Sequence, residues 1–259
     1  MSGPPHRRIA LVLEYDGSRY GGSQLQRNTP SIQGELEAAI EKLTGARLRV
    51  AFAGRTDAGV HALGQVAAFT TPSALATDVL ERGLNALLPE DIAVRRAREA
   101  PDGFDPRRDA SSRSYRYTVY NAPVRSPLQR SRSWYVAEPL DVAPMRRAAA
   151  ALVGEHDFAA FSRREGVSTV RCVGRCDVRR EGPRVTVEME ANAFLRQQVR
   201  RTVGALVRVG SGKMAVEAFR ELLQRAGPAT AGPVAPALGL CLVEVSYQGL
   251  DLKPRHALS

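Results

Sequence analysis

Cysteine, lysine and long apolar runs are all scarce in this chain, and each shortage removes a class of protein. The three cysteines, Cys172, Cys176 and Cys241, are odd in number, and the C-x3-C pair has no nearby histidine or second cysteine pair to complete a metal site. Reduced thiols in a cytoplasmic protein are expected, with no disulfide framework and no metal. No stretch approaches the roughly 20 apolar residues that cross a bilayer. The apolar run Ile9 to Leu13 ends at Glu14, short of the roughly 7–15 apolar residues of an export signal. A soluble protein with no membrane partner is expected, its first apolar run a strand. Also missing are a G-x-S-x-G nucleophile elbow, an H-E-x-x-H zinc motif and a dinucleotide glycine fingerprint, so hydrolase, metalloenzyme and dehydrogenase chemistry have no foothold. Gly210-Ser211-Gly212-Lys213-Met214 imitates a phosphate-binding loop, but Val207 stands where its first glycine belongs and Met214 where Ser or Thr is needed. A turn between helices is expected there.

What is abundant is arginine. Lysine occurs only at Lys42, Lys213 and Lys253, so arginine supplies 34 of 37 basic residues, and the formal net charge is +10. Such skew also fits a bias in the base composition of the genome. Physically, a field of this sign attracts a polyanion, nucleic acid first, and the planar guanidinium fork bonds phosphate and stacks on bases. With 44% hydrophobic and 25% charged residues the chain is globular, and its 259 residues divide best into two domains of the usual roughly 100–150 residues.

The pattern supports that division. A strand over Ile9–Tyr15 leads through a Gly-rich turn to a helix starting at Thr29-Pro30, with Ile32, Leu36, Ile40 and Leu43 on one face and a stop at Gly45. Leu48, Val50 and Phe52 alternate as a strand, and Gln65–Thr70 reads as another. A helix from Thr77 or Asp78 carries Val79, Leu80, Leu84, Leu87 and Leu88 up to Pro89, and Ile92–Arg98 completes a β-α-β-β-α-β order. That is the split βαβ, ferredoxin-like plan, in which helices cover one face of an antiparallel sheet and the other is left free. The proline-punctuated stretch Pro101–Pro106 marks a boundary between an N-terminal α+β domain, 1–103, and an elaborated α+β domain, 104–259. The second half has strands at Ser114–Tyr120, Ser131–Val136, Thr169–Arg179, Arg184–Glu190 and Leu240–Tyr247. Its helices follow Asp141 and span Ala193–Val209 and Ala215–Ala226. The expected fold class is therefore α+β, two ferredoxin-like domains with an active-site cleft between them.

The most informative segment is Phe52-Ala53-Gly54-Arg55-Thr56-Asp57-Ala58-Gly59-Val60-His61-Ala62. It leaves a strand and turns between two glycines, the residues most able to take positive φ or let a ligand approach the backbone. Taken alone, an Asp in such a loop is more often a turn residue bonding its own backbone, and His61 a satisfied packing histidine.

The segment resembles the signature G-R-T-D-[AS]-G-V-H of the tRNA pseudouridine synthase A family. Other stretches are similar in the same order across roughly residues 9–247: Tyr15-Asp16-Gly17-Ser18 with Gln24 and Gln26, Asn85-x3-Pro89-x-Asp91-Ile92, and Tyr115-Arg116-Tyr117. Gly154-x-His156-Asp157-Phe158-x2-Phe161, Asn192-x-Phe194-x4-Val199-Arg200 and Ala231-Gly232-Pro233 with Ala235-Pro236-Ala237 and Gly239-Leu240 continue the match. The resemblance implies an isomerase that converts uridines 38, 39 and 40 of the tRNA anticodon arm to pseudouridine, without cofactor or metal, as a homodimer.

It also implies roles. Asp57 would be the catalytic carboxylate, a nucleophile adding to the sugar or base or else a base abstracting a sugar proton, kept ionised by Arg200, because an opposite charge within a few ångström lowers a carboxylate pKa. Tyr115 would stack on the target uracil and Arg55 would take the flipped base's place. Gln65, Arg107 and Phe194 would be further substrate contacts. Tyr117, on the same side of the strand as Tyr115, is expected in the core. Where the family has G-W-Q-x-Q this chain has Gly22-Ser23-Gln24-Leu25-Gln26, and F-H-A-R becomes Phe104-Asp105-Pro106-Arg107. The rival from another class is a non-catalytic RNA-binding protein, against which stands the absence of an aromatic-rich RNP-type strand.

Overall fold

The run after the amino terminus is a strand, β1 (Arg7–Tyr15), in a computed structural model that describes residues 6–162, 168–224 and 231–253. Helix α1 (Ile32–Thr44), short strand β2 (Ala51–Phe52), β3 (His61–Thr71), α2 (Thr77–Leu87) and β4 (Ile92–Ala100) follow. The chain divides into two compact units, one holding the described residues of Met1–Ser111 and Leu242–Ser259, the other those of Ser112–Cys241. The last strand therefore belongs to the first unit from Leu242 onward.

In the first unit β1 pairs antiparallel with both β3 and β4, setting Ile9 opposite Phe69 and Glu99. Ile9, Ala10, Leu11, Val12 and Leu13 are all at most 2% exposed. Neighbouring residues of a strand point to opposite faces, so neither face of β1 is bare, contrary to the free face expected from sequence. Helix α1 buries Ile32, Leu36, Ala39 and Ile40 and ends at Gly45, whose φ of 73° is the left-handed cap that glycine adopts without penalty. Its start is two residues later than Thr29-Pro30 suggests. Ser31 is the cap, its side chain accepting from Gly34 N, while the Pro30 carbonyl accepts from Gly21 N at 2.9 Å. The strand expected over Leu48–Phe52 shrinks to β2 because Val50 N donates to Glu37 Oε1 and Val50 O accepts from Gln33 Nε2. Helix α2 buries Leu80 and Leu84, but Leu87 is exposed.

The second unit holds β5 (Ala110–Asn121), β6 (Trp134–Val136), α3 (Val142–Ala150), β7 (Gly154–Asp157), β8 (Val170–Glu181), β9 (Arg184–Ala191), α4 (Gln198–Gly210) and α5 (Val216–Glu221); β10 (Leu240–Tyr247) closes the described elements. Its strands run in the order β5-β9-β8-β7, with β6 parallel to β5. Alternation is clean here. Tyr117, Val119, Val185, Val187, Met189, Cys176 and Val178 are buried, while Arg116 pairs with Glu188 at 2.8 Å on the opposite face. Ser211 to Met214 do form a turn between helices, and Ala226, the expected end of α5, lies outside the described residues. Among the described residues no helix is long and apolar enough to cross a membrane.

The thiols of this sheet differ sharply. Cys172 is exposed and Cys176 buried on the same strand, and burial, reinforced by Asp177, pushes the Cys176 thiol up to about 12. Because the thiolate is the nucleophile, a maleimide at pH 8 should label Cys172 in the native protein and Cys176 only after unfolding. Equal labelling rates, read by mass spectrometry, would mean that the core beside β8 is open.

Candidate active site

The Asp57 loop, residues 53–60, joins β2 to β3 and is held by backbone at both ends. Ala53 N donates to Val66 O at 2.8 Å, and Val60 N donates to Asp57 O at 3.2 Å. The second bond closes a four-residue turn in which Gly59 has φ 78°, a value that suits glycine. Gly54 does not need that freedom, since positive φ among these two glycines is confined to Gly59.

The motif Tyr15-Asp16-Gly17 is the seat of this loop. Tyr15 Oη lies 2.8 Å from Thr56 Oγ1 in a buried bond. Gly17 N donates to His61 Nδ1 at 3.2 Å, and Asp16 Oδ1 sits 3.2 Å from the same nitrogen. A Cβ on Gly17 would come within 2.0 Å of Val60 O, and one on Gly22 within 2.7 Å of Thr56 O. Both glycines are therefore required by close backbone approach, and Gly22 forms a bridge to Asp57 itself. Thr56 and Val60 are buried, Asp57 is half-buried and Arg55 exposed. The fold thus buries the loop's frame and leaves its two charged side chains toward the surface.

Gln65 is placed differently from a substrate contact. It is fully buried; Nε2 donates to Gly54 O at 2.9 Å and reaches Tyr15 Oη at 3.4 Å, while Oε1 accepts from Val66 N. It braces the loop from beneath. Arg107 is exposed on a turn made by the very substitution that departs from the family pattern. Asp105 Oδ1 accepts from Arg107 N at 2.8 Å and Arg108 N at 3.0 Å. The Arg108 N–H leads the causes that hold this carboxyl below its usual range.

In the second unit Tyr115 is half-buried on β5, its ring edge-to-face with Phe194 at 5.2 Å, the geometry that aromatic quadrupoles favour. Tyr117 is fully buried and donates to Pro236 O at 2.8 Å. Helix α4 begins at Gln198, five residues later than expected, because Gln197 takes φ 63°, a left-handed value that costs a non-glycine residue about 1–2 kcal/mol. Gln198 Oε1 then accepts from Leu195 N at 2.8 Å. Arg200 therefore lies in the first turn of α4. Its Nε donates to Ala235 O at 2.7 Å and its carbonyl accepts from Ala235 N at 3.2 Å. A cation at a helix N-terminus adds to the positive end of the macrodipole, so this turn is suited to an anionic neighbour. Asp57, Arg55, Gln65 and Arg107 belong to the first unit, and Tyr115, Phe194 and Arg200 to the second.

Sequence reasoning missed Tyr15, Thr56 and Gln65 as loop supports; the Tyr15-Asp16-Gly17 motif was the available signal. Gly17→Ala should push the loop off its seat and destabilise the protein by about 1–3 kcal/mol, measurable by denaturant melts. A wild-type midpoint would mean that the loop yields without cost.

A family model described as tRNA pseudouridine synthase matches residues 11–107 and 148–248, stretches that include Arg55, Asp57, Phe194 and Arg200. A tRNA pseudouridine synthase A of Geotalea uraniireducens is 47% identical over 243 residues, covering 93% of this chain and 100% of that protein. One of Myxococcus xanthus is 48% identical over 246 residues, 93% of this chain and 92% of its own length, and one of Neisseria gonorrhoeae is 44% identical over 94% of this chain and 93% of its own. The likeness runs through the Asp57 loop, the α4 start and most of what lies between, and this chain belongs to the tRNA pseudouridine synthase family.

Proposed function

We propose that this chain isomerises uridine to pseudouridine at positions 38, 39 and 40 in the anticodon stem-loop of tRNAs, with Asp57 as nucleophile. The observation that carries the reading is the Asp57 loop itself. Tyr15 holds the Thr56 hydroxyl, Gln65 the Gly54 carbonyl, and Gly17 and Gly22 let the backbone approach, while Asp57 stays half-buried, the arrangement a preorganised catalytic group needs.

The reaction breaks the N-glycosidic bond, turns the uracil and rejoins it through carbon. Product and substrate hold the same atoms, so the chemistry asks for a carboxylate, a hold on the loose base and a way to open the stack, and for no cofactor or metal. Asp57 supplies the first, with Arg200 as its cationic partner. Tyr115 stacks on the base, its ring steadied by Phe194. Arg55, exposed two residues before Asp57, takes the extruded base's place. Arg107 is a further tRNA contact, and Gln65 serves through the loop it braces.

The same reading treats the chain as two ferredoxin-like domains, residues 1–103 and 104–259. The β4-β1-β3 order with β2 on β3 supports it for the first. It also takes the working form to be a homodimer and its compartment to be the cytoplasm, the latter in keeping with three cysteines that form no disulfide.

Incubation with unmodified tRNA, followed by nucleotide-resolution mapping, should place pseudouridine at 38, 39 and 40. Asp57→Ala should retain tRNA affinity and lose turnover on the order of a thousandfold or more. Undiminished turnover would remove Asp57 as the nucleophile, and no product from the wild type would leave an RNA-binding protein. Affinity should fall linearly in log–log form as salt is raised; a flat response would exclude phosphate contacts as its source.

A further inference from the structure

Ser23 occupies the position where the family pattern described above has a tryptophan, and its contacts show what a hydroxyl does there. The residue is 1% exposed. Its N–H donates to Thr56 O at 3.1 Å, and its Oγ accepts from Thr56 N at 2.9 Å. Both polar groups of the Thr56 backbone therefore end on Ser23. Thr56 O belongs to the peptide that leads directly into Asp57, so fixing it fixes the direction from which the Asp57 Cα departs.

Ser23 is itself anchored. Its carbonyl accepts from Gln33 N at 3.0 Å, and the Gly22 carbonyl accepts from Ile32 N at 3.3 Å. These donors are the first two residues of α1, whose N–H groups have no partner within the helix. The next orphan, Gly34 N, is answered by Ser31 Oγ at 3.1 Å. A capped helix end thus holds Gly22 and Ser23, and these two hold Thr56 and Asp57.

We infer that Ser23 is a positioning residue for Asp57, a directed hydrogen bond standing in for the packing of a large ring. This rests on the assignment of Asp57 as nucleophile. A ring constrains its neighbours by shape, whereas the Ser23 hydroxyl constrains one amide by direction as well as distance. Removing it leaves the Thr56 N–H, on a residue 7% exposed, without a partner, and a buried donor in that condition drives the backbone to shift until it finds one.

The test compares full-length wild type, Ser23→Ala and Asp57→Ala on unmodified tRNA, with amide exchange followed at Thr56. In Ser23→Ala, kcat should fall about tenfold to a hundredfold, the scale of a misplacement near 1 Å, with KM within about twofold of wild type. Exchange at Thr56 should quicken about tenfold or more as its acceptor is lost. A folded Ser23→Ala enzyme with wild-type kcat overturns the inference, as does a loss carried by KM alone. Should the alanine variant not fold, Ser23→Cys, near-isosteric with a weak acceptor, is held to the same split and the same overturning result. Failure of the underlying assignment looks different: an Asp57→Ala enzyme that turns over normally removes Asp57 as nucleophile whatever Ser23 does.

Discussion

A buried peptide segment outside helix and strand must find each of its hydrogen bonds individually, and the Asp57 loop is built around that requirement. Tyr15, Gly17, Gly22 and Ser23 come from one stretch outside the loop and Gln65 from another, and each answers polar groups of the loop or clears the space for its backbone. The consequence reaches back into the elements. Strand β1 must end at Tyr15, α1 must begin where its open N–H groups meet the Gly22 and Ser23 carbonyls, and β3 must carry a buried glutamine among apolar neighbours. Polar residues that look like reagents, Gln65 and His61, are spent inside this frame, and the loop's charged residues stay near the surface.

The regular elements were legible wherever one local rule decided them. Gly45 ends α1 because a left-handed cap favours glycine, and the alternation of β5 separated Tyr117 from Arg116 correctly. Errors arose where distant partners won. Leu48, Val50 and Phe52 alternate as a strand should, but the Val50 backbone is satisfied by Gln33 and Glu37 of α1, a bond no sequence window contains. The α4 start is expected at Ala193, and the left-handed Gln197 with the Gln198–Leu195 bond displaces it. Such strain is sustained only by surrounding tertiary structure.

The candidate site was legible as a motif and much less so as chemistry. An aspartate between glycines reads first as a turn residue whose side chain bonds its own backbone; a turn is present, closed by the Asp57 carbonyl onto Val60 N. Turn and reagent are not alternatives, because the backbone can make the turn while the side chain remains half-exposed. Gln65 was the reverse case. The family resemblance implied a substrate contact, but Gln65 is completely buried with its amide committed to Gly54 O. Type and spacing do not reveal burial.

Burial also changes the meaning of the arginine excess. Arg8, Arg98, Arg113, Arg146, Arg200 and Arg201 all donate to backbone carbonyls, and Arg180 alone reaches Asn121 Oδ1, Leu140 O and Gly182 O. A rigid fork with five donors can answer several carbonyls at fixed angles; a lysine offers one flexible point of charge. These seven of the 34 arginines thus spend guanidinium donors on backbone carbonyls, and those donors are not available to phosphate. Arg55 and Arg107 are exposed, and the arrangement of exposed arginines, more than the net charge, sets where a polyanion can bind.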